Sequence, residues 1–329
     1  MPDSPAAVPA LAELAVVVRS GLVESRHLGS LVALRADGST ALALGAPDAV
    51  VLPRSTTKPL QALACLEAGA PLAGPALAIA AGSHTGEDRH VDVVRAVLAQ
   101  AGLDESALRC PVDLPEDEPT RVRLVRDGEE AARVRMNCSG KHAAMLLACT
   151  VNGWPTETYL DADHPLQRLV HDVVARETGT PVGHTAVDGC GAALFGTTVR
   201  GLATAFRSLA TATHGPAARV ADAMRTHPEF VGGRGHVNTR LMADLPGVVA
   251  KGGAEGVIGV ATADGRAVAM KVVDGSPRAT TVVALAVLRA LGVDTSPVAD
   301  LETVPVLGGG VPVGEVRPGA ALATDRTTT

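Results

Sequence analysis

The chain has 329 residues, enough to bury a sizeable core, with 47% hydrophobic and 19% charged residues as in ordinary soluble globular proteins. A formal charge of −6 leaves no basic footprint for nucleic acid, and aromatic residues at 2% supply no stacking platforms for bases or sugars. No uncharged apolar run reaches the ~20 residues of a membrane span, and no basic residue precedes the apolar stretch up to Val18, which argues against a signal peptide. The cysteines Cys65, Cys110, Cys138, Cys149 and Cys190 are odd in number and form no CxxC pair, so a disulfide framework is not expected and the setting is read as cytoplasmic.

Residues 12 to 53 read as strands, in the runs LAVVVRSG, SLVALRAD and STALALG, with Asp37-Gly38 as a hairpin turn. The period turns helical from about Thr57 to Ala68. The middle, residues 57 to 245, is mostly helix. GEDRHVDVVRAVLAQAG and HPLQRLVHDVVARETG carry helical apolar spacing and closing glycines, and ALFGTTVRGLATAFRSLAT and GPAARVADAMRTHP read as helices too. Strands return after Pro246 in GVVAKGG and in GVIGVATADGRAVAMKVVDG, which turns at Asp264-Gly265. An apolar helix follows in PRATTVVALAVLRALG. The end offers one short strand in VGEVRPG and a tail, residues 321 to 329, expected to be disordered. The pattern predicts an α+β domain over residues 12 to 320. In it, an antiparallel sheet built from both chain ends is flanked by helices, with a helical portion inserted between.

Basic residues are distributed unevenly: four lysines stand against twenty-five arginines, together the 29 basic residues. Arginine suffices wherever only charge is needed, whereas lysine alone of the two can lose its proton in a protein and act as a base. The exceptions are Lys58, Lys141, Lys251 and Lys271. Ser55 and Lys58 are spaced S-x-x-K in PRSTTKPLQ. One helical turn puts both on one face, where an uncharged amine can take the proton of a hydroxyl. Pro59 places the pair at a helix N-terminus, which favours developing negative charge. Taken alone, the pattern equally fits a serine cap followed by an exposed lysine.

Ser83 in AAGSHTGED is either a second active-site hydroxyl or, with Thr85, a cap at a strand-to-helix turn. In RMNCSGKHAAM, Cys138 and Lys141 lie three apart before an apolar helix, among Asn137, Ser139 and His142, which are poor core material. In VDGCGAAL, Cys190 follows Asp188 between two glycines that allow close backbone approach. Two cysteines from separate loops suit zinc with a further ligand, and chemistry alone points to His142 as that ligand. In VVAKGGAEGVIGV, Lys251 closes a strand before Gly252 and Gly253. The spacing of a phosphate loop is absent there.

RSTTKPLQ, GSHTGE, NCSGKHAAM, DGCG and KGGAEGV, in this order, resemble the asparaginase II family, the Rhizobium-etli-type or class 3 L-asparaginases, over roughly residues 12 to 320. The resemblance implies a fold like that of serine β-lactamases, penicillin-binding proteins and glutaminases. It implies a serine–lysine tandem of Ser55 with Lys58 and a second of Ser83 with Lys251. It implies a zinc site of Cys138, Lys141 and Cys190, which displaces His142 to a neighbouring place beside substrate. It also implies substrate contacts from Arg54 and Asp188, and a homodimer. Lys271 acquires no role. HPEFVGGRGHVNTRLM departs from the family's pattern, in which Arg and Asp are expected near His236 and Asn238.

The expected reaction is hydrolysis of the side-chain amide of L-asparagine to aspartate and ammonia through an acyl-enzyme. At least one lysine must then be uncharged. Which serine is acylated is open at this level, with Ser55 preferred. The competing expectations are another serine amidohydrolase of the same fold, acting on glutamine or β-lactams, and a non-catalytic amino-acid or zinc binder.

Overall fold

The structure is a computed structural model and describes residues 10–322. The chain opens with β1 (Ala12–Arg19), β2 (Leu22–Leu34) and β3 (Thr40–Leu44). β2 begins eight residues before the run SLVALRAD, because Ser20 and Gly21 adopt φ of 48° and 85° and so close a tight hairpin that the sequence pass overlooked. The Asp37-Gly38 turn joins β2 to β3 as expected, with Gly38 at φ 88°.

The middle runs through β4 (Val50–Val51), a 3-10 turn at Arg54–Thr57, and the helices α1 (Lys58–Glu67), α2 (Gly74–Ala80), α3 (Asp88–Gln100), α4 (Glu118–Asp127), α5 (Ser139–Asn152) and α6 (Pro165–Thr178). After β5 (Thr185–Val187), β6 (Ala193–Phe195) and β7 (Thr197–Thr198) come α7 (Val199–Thr211), α8 (Gly215–Thr226), α9 (Pro228–Val231) and α10 (Val237–Asp244). The helix expected from Ala193 therefore starts six residues later. Thr198 stays extended and its hydroxyl accepts the Gly201 N–H at 2.9 Å, a cap that fixes the boundary. α4 was not anticipated, since it buries only Thr120 and Leu124 and so shows little apolar period. Its ends are nonetheless marked by Asp117 as cap, Pro119 in the first turn and Gly128 at φ 72°. α5 is buried from Ser139 to Cys149, which makes it the central rod of the helical portion.

The chain end adds β8 (Val248–Gly253), β9 (Val257–Thr262), β10 (Ala267–Val272), α11 (Thr280–Ala290), β11 (Val304–Gly308) and β12 (Val311–Pro318). The single closing strand of the sequence reading is thus a hairpin of two. Residue 321, where disorder was expected to begin, and Leu322 belong to a short 3-10 turn, and the rest of the tail lies outside the described residues.

All eight strands of the main sheet pair antiparallel, in the order β11-β12-β1-β2-β10-β9-β8, with β3 beside the second half of β2. Both chain ends build it, as expected. α7 and α11 pack on the sheet. Gly259 is required there, because a Cβ would come within 2.5 Å of the Phe206 ring of α7. β8 is the edge strand nearest the helical portion, and its end meets the 3-10 turn before α1. Among the described residues no helix is long and apolar enough to cross a membrane.

Candidate active site

Three segments converge at the β8 edge: the start of α1, the loop Ser83–Glu87 and the residues leading into α5. Lys58 and Lys251 are both fully buried, and their amines close on one oxygen. Lys58 Nζ stands 2.8 Å and Lys251 Nζ 2.9 Å from Ser83 Oγ. The Ser83–Lys251 tandem is therefore present as a contact. Ser55 and Lys58 are joined through the backbone, the Lys58 N–H donating to the Ser55 carbonyl, but among the described residues no hydrogen bond joins their side chains, and the Lys58 amine reaches instead to Ser83 and, at 3.3 Å, to the Asn137 carbonyl. The spacing placed Ser55 and Lys58 one turn apart, but a four-carbon stem can extend away from its own turn.

Lys251 Nζ also donates to the Gly252 carbonyl at 2.5 Å. Burial first, and then the Lys58 ammonium that shares Ser83 with it, push the Lys251 amine well below the ordinary lysine range. An uncharged Lys251 can accept the Ser83 O–H while Lys58 donates to the same oxygen.

Ser55 is half-buried at the second position of the 3-10 turn. The end of β8 runs directly against it. A Cβ on Gly253 would stand 3.0 Å from the Thr56 nitrogen and 3.1 Å from the Ser55 nitrogen, so only glycine brings the strand this close. Arg54, just before, takes a φ of 52°, an uncommon strain for a non-glycine residue. Its Nε donates to Asp188 Oδ1 at 2.7 Å, so the two residues assigned to substrate face each other across the cleft wall.

The loop holding Ser83 is pinned on both sides. Ser83 N–H donates to the Val231 carbonyl at 2.8 Å, Thr85 N–H to Gly232 at 2.8 Å, and His84 N–H to Asn137 at 3.1 Å. Neither Ser83 nor Thr85 caps the next helix; Glu87 does, in a reciprocal arrangement with His90. The Glu87 carboxylate also accepts the Arg234 backbone N–H at 2.9 Å and the Thr85 hydroxyl at 3.1 Å. Burial works against its charge, but Arg234 and Arg89 outweigh it and hold its pKa down at about 2, against 4.5 for a free glutamate. Its contribution to stability is thus fully present above pH 4.5 and lost as the pH falls toward 2. We expect Glu87→Gln to cost about 2 kcal/mol at pH 7, with the gap to wild type closing as the pH falls through that window, measured by urea unfolding at a series of pH values.

Behind the lysines lies the second cluster. Cys138 opens α5 and its thiol donates to Asn137 Oδ1 at 3.1 Å. The Cys190 thiol lies beside it. It is drawn down to about 5, first by the neighbouring Cys138 thiol and then by Lys141, against the effect of burial. The Cys138 thiol is correspondingly pushed up to about 12 by Cys190 and by burial. Burial also opposes the Lys141 ammonium, but Cys190, Cys138 and Asp188 outweigh it and raise its pKa; Asp188 Oδ2 is 3.8 Å from Lys141 Nζ. The three residues expected to ligate zinc are therefore brought together. Among the described residues no three His, Cys, Asp or Glu side chains form a metal cage, so a metal here has to take the Lys141 nitrogen as well as the two thiols. Two thiols and an amine are a soft donor set whose chemistry would suit zinc.

His142 is fully buried and burial drives its pKa down to about 3. Its Nδ1 stands 2.6 Å from the Tyr159 hydroxyl, and its Nε2 has no partner among the described residues. Lys271 sits outside the cluster. It donates to the carbonyls of Glu255 and Val272 (2.9 Å to the latter) and so ties down the β8–β9 turn, where Glu255 has φ 63°.

The sequence reading gave no role to three residues that the fold brings to the site. Asn137 joins the Cys138 thiol to the Lys58 amine, and its side-chain amide is oriented by Glu116 at 2.7 Å. Asn238 Oδ1 accepts the Gly252 N–H at 2.8 Å and fixes the strand next to Lys251. His236, whose pKa falls to about 4 through burial and then Lys251, is close by. The departing stretch HPEFVGGRGHVNTRLM therefore forms a wall of the site.

The site thus holds a half-buried hydroxyl bracketed by two buried amines, with a second hydroxyl in the 3-10 turn before α1. The chain belongs to the L-asparaginase II family, whose pattern matches residues 15–318, and this makes it an amidohydrolase. No curated protein matches it. Among solved structures it is similar to Mglu in its native form, at 14% identity and a TM-score of 0.43, over 80% of this chain and 62% of that one, so it spans less than two thirds of that protein. It is also similar to a putative beta-lactamase from Bacteroides dorei DSM 17855, at 11% identity and a TM-score of 0.44, over 80% of this chain and 93% of the other. A third is EstCE1, a hydrolase with promiscuous acyltransferase activity, at 14% identity and a TM-score of 0.36, over 83% and 91%.

Proposed function

We propose that the protein is an L-asparaginase that hydrolyses the side-chain amide of L-asparagine to L-aspartate and ammonia by serine–lysine catalysis. The observation that carries this reading is Ser83 Oγ held between two buried amines, one of which binds its proton far more weakly than an ordinary lysine because of its burial.

Ser55 is the acylated residue in this mechanism and Ser83 the proton shuttle. Ser83 is engaged by both lysines, whereas among the described residues the Ser55 hydroxyl has no hydrogen-bond partner, and its own backbone N–H, in the turn that opens the helix, is the donor at hand for an oxyanion. A single proton shared through Ser83 lets Lys251 take charge while Lys58 becomes a free amine within one turn of Ser55. Lys58 then removes the Ser55 hydroxyl proton as the oxygen bonds to the amide carbon. Collapse of the tetrahedral oxyanion breaks the C–N bond. The departing nitrogen takes the Ser83 proton, which Lys251 replaces, and leaves as ammonia. The shuttle then runs again, and Lys58 passes its proton through Ser83 to Lys251. The freed Lys58 amine takes a proton from water as the water oxygen bonds to the ester carbon. That proton goes to the departing Ser55 oxygen, and Lys251 gives its own proton up to the released ammonia. Arg54 pairs with the substrate α-carboxylate and Asp188 with its ammonium, each exchanging its present partner for the opposite charge on the zwitterion.

Cys138, Cys190 and Lys141 hold zinc in this reading. When bound, zinc supplies a Lewis-acid position that orients a substrate oxygen. We expect purified protein to carry about one zinc per chain, and Cys190→Ser to lose it, by elemental analysis. An unchanged metal content in that variant contradicts the assignment.

The reading is tested by ammonia release from L-asparagine, L-glutamine and a chromogenic β-lactam assayed in parallel. Turnover of asparagine well above the other two supports it, and a preparation active only on glutamine or the lactam rejects it.

A further inference from the structure

Tyr159 is the chain's single tyrosine and is fully buried. Its oxygen accepts the Arg109 backbone N–H at 3.1 Å and lies 2.6 Å from His142 Nδ1. A backbone N–H only donates, so the phenol hydrogen has to go to the one acceptor within reach among the described residues, which is His142 Nδ1. A neutral imidazole that accepts at Nδ1 carries its hydrogen on Nε2. The two ring nitrogens diverge, so Nε2–H points away from Tyr159, whose ring stands edge-on at 88°. That N–H is buried and has no partner among the described residues.

An orphaned buried donor signals an acceptor that arrives later. His142 lies one turn after Cys138 on α5, on the same face of the helix, and Lys141, Cys138, Lys58 and Asp188 are the ionisable groups whose fields reach its ring. While Cys138 keeps its thiol hydrogen it donates to Asn137 Oδ1. As a metal-bound thiolate it becomes a strong acceptor. We propose that Tyr159 is a positioning residue that locks His142 in the Nε2–H tautomer, so that the ring donates to the Cys138 thiolate of the metal-loaded protein. This inference rests on the zinc assignment made above. The role is a brace on the metal ligand rather than ligation or substrate contact. Braces of this kind change metal affinity by about tenfold or more.

Two measurements test it. Long-range proton–nitrogen correlation spectra of metal-free protein labelled with 15N-histidine, with His142 assigned by its loss in His142→Leu, read the tautomer directly. Wild type is expected to show Nε2–H, and Tyr159→Phe a mixture. Zinc affinity, by competition with a chromophoric chelator, is expected to fall about tenfold in Tyr159→Phe and at least as far in His142→Leu. The double variant is expected to fall no further than His142→Leu alone, because both changes break one path. Circular dichroism confirms that each variant is folded. An Nδ1–H tautomer in wild type overturns the proposal without recourse to any variant. So does zinc affinity unchanged by Tyr159→Phe, or losses that simply add. A wild type that binds no zinc overturns the metal assignment and this role together, and is told apart because every arm of the competition is then blank.

Discussion

Lys251→Met is expected to lower turnover of L-asparagine by about 10³-fold while raising the melting temperature at neutral pH. The two effects share one cause. In the unfolded chain Lys251 binds its proton below about pH 10.4, as an ordinary lysine does. In the folded chain burial and Lys58 withhold that proton until far lower pH. Across the window between the two values the unfolded state binds more protons, so stability rises with pH toward 10 and falls as the pH drops. Each tenfold loss of proton affinity costs the fold about 1.4 kcal/mol at pH values below the window. Methionine fills the same space without that penalty. The slope of stability against pH between 6 and 10 is therefore expected to flatten in the variant, by thermal melts at a series of pH values. A variant that is both inactive and less stable at pH 7 contradicts the uncharged amine.

Ser55→Ala is expected to be the most damaging single change, lowering turnover by about 10⁴-fold or more, since in the proposed mechanism Ser55 forms the acyl bond. Ser83→Ala removes only the shuttle, and a loss of about 10² to 10³-fold is expected. The two are separated by the leaving group. Ammonia cannot leave without a proton, whereas the alkoxide or phenoxide of an activated aspartate ester can. Most of the Ser83→Ala loss is expected to vanish on such an ester, and the Ser55→Ala loss to persist. The reverse pattern moves the acyl bond to Ser83, the hydroxyl already in contact with both amines.

Much of this arrangement was legible before any coordinates. The two Asp-Gly turns at 37–38 and 264–265 mark hairpins because only a residue free to adopt positive φ closes them, and both glycines do so. Runs of apolar residues at both chain ends then suffice to predict one antiparallel sheet. Ser20 breaks that rule, taking φ 48° without being glycine or asparagine, and its hairpin was missed. α4 was missed because polarity hid its two inward positions, although its caps were in plain view. The scarcity of lysine marked Lys58, Lys141 and Lys251 out for chemistry, and all three are buried at the site. Their partners were harder to read. Spacing within a turn says which side chains share a face, not where a long stem ends, so the contact of the Lys58 amine with Ser83 was not foreseen. The Asn137 carbonyl that holds Lys58 is backbone and leaves no trace in residue type. Tyr159, seventeen positions beyond His142, meets it only through the packing of the loop after α5.

Rapid quenching of the wild-type enzyme with L-asparagine, followed by peptide mass spectrometry, tests the serine–lysine mechanism most directly. A β-aspartyl ester on Ser55, absent from Ser55→Ala and accumulating when Lys251 is replaced by methionine only on the activated ester, is the expected result. An enzyme that turns asparagine over rapidly while neither Ser55 nor Ser83 ever carries an adduct contradicts it.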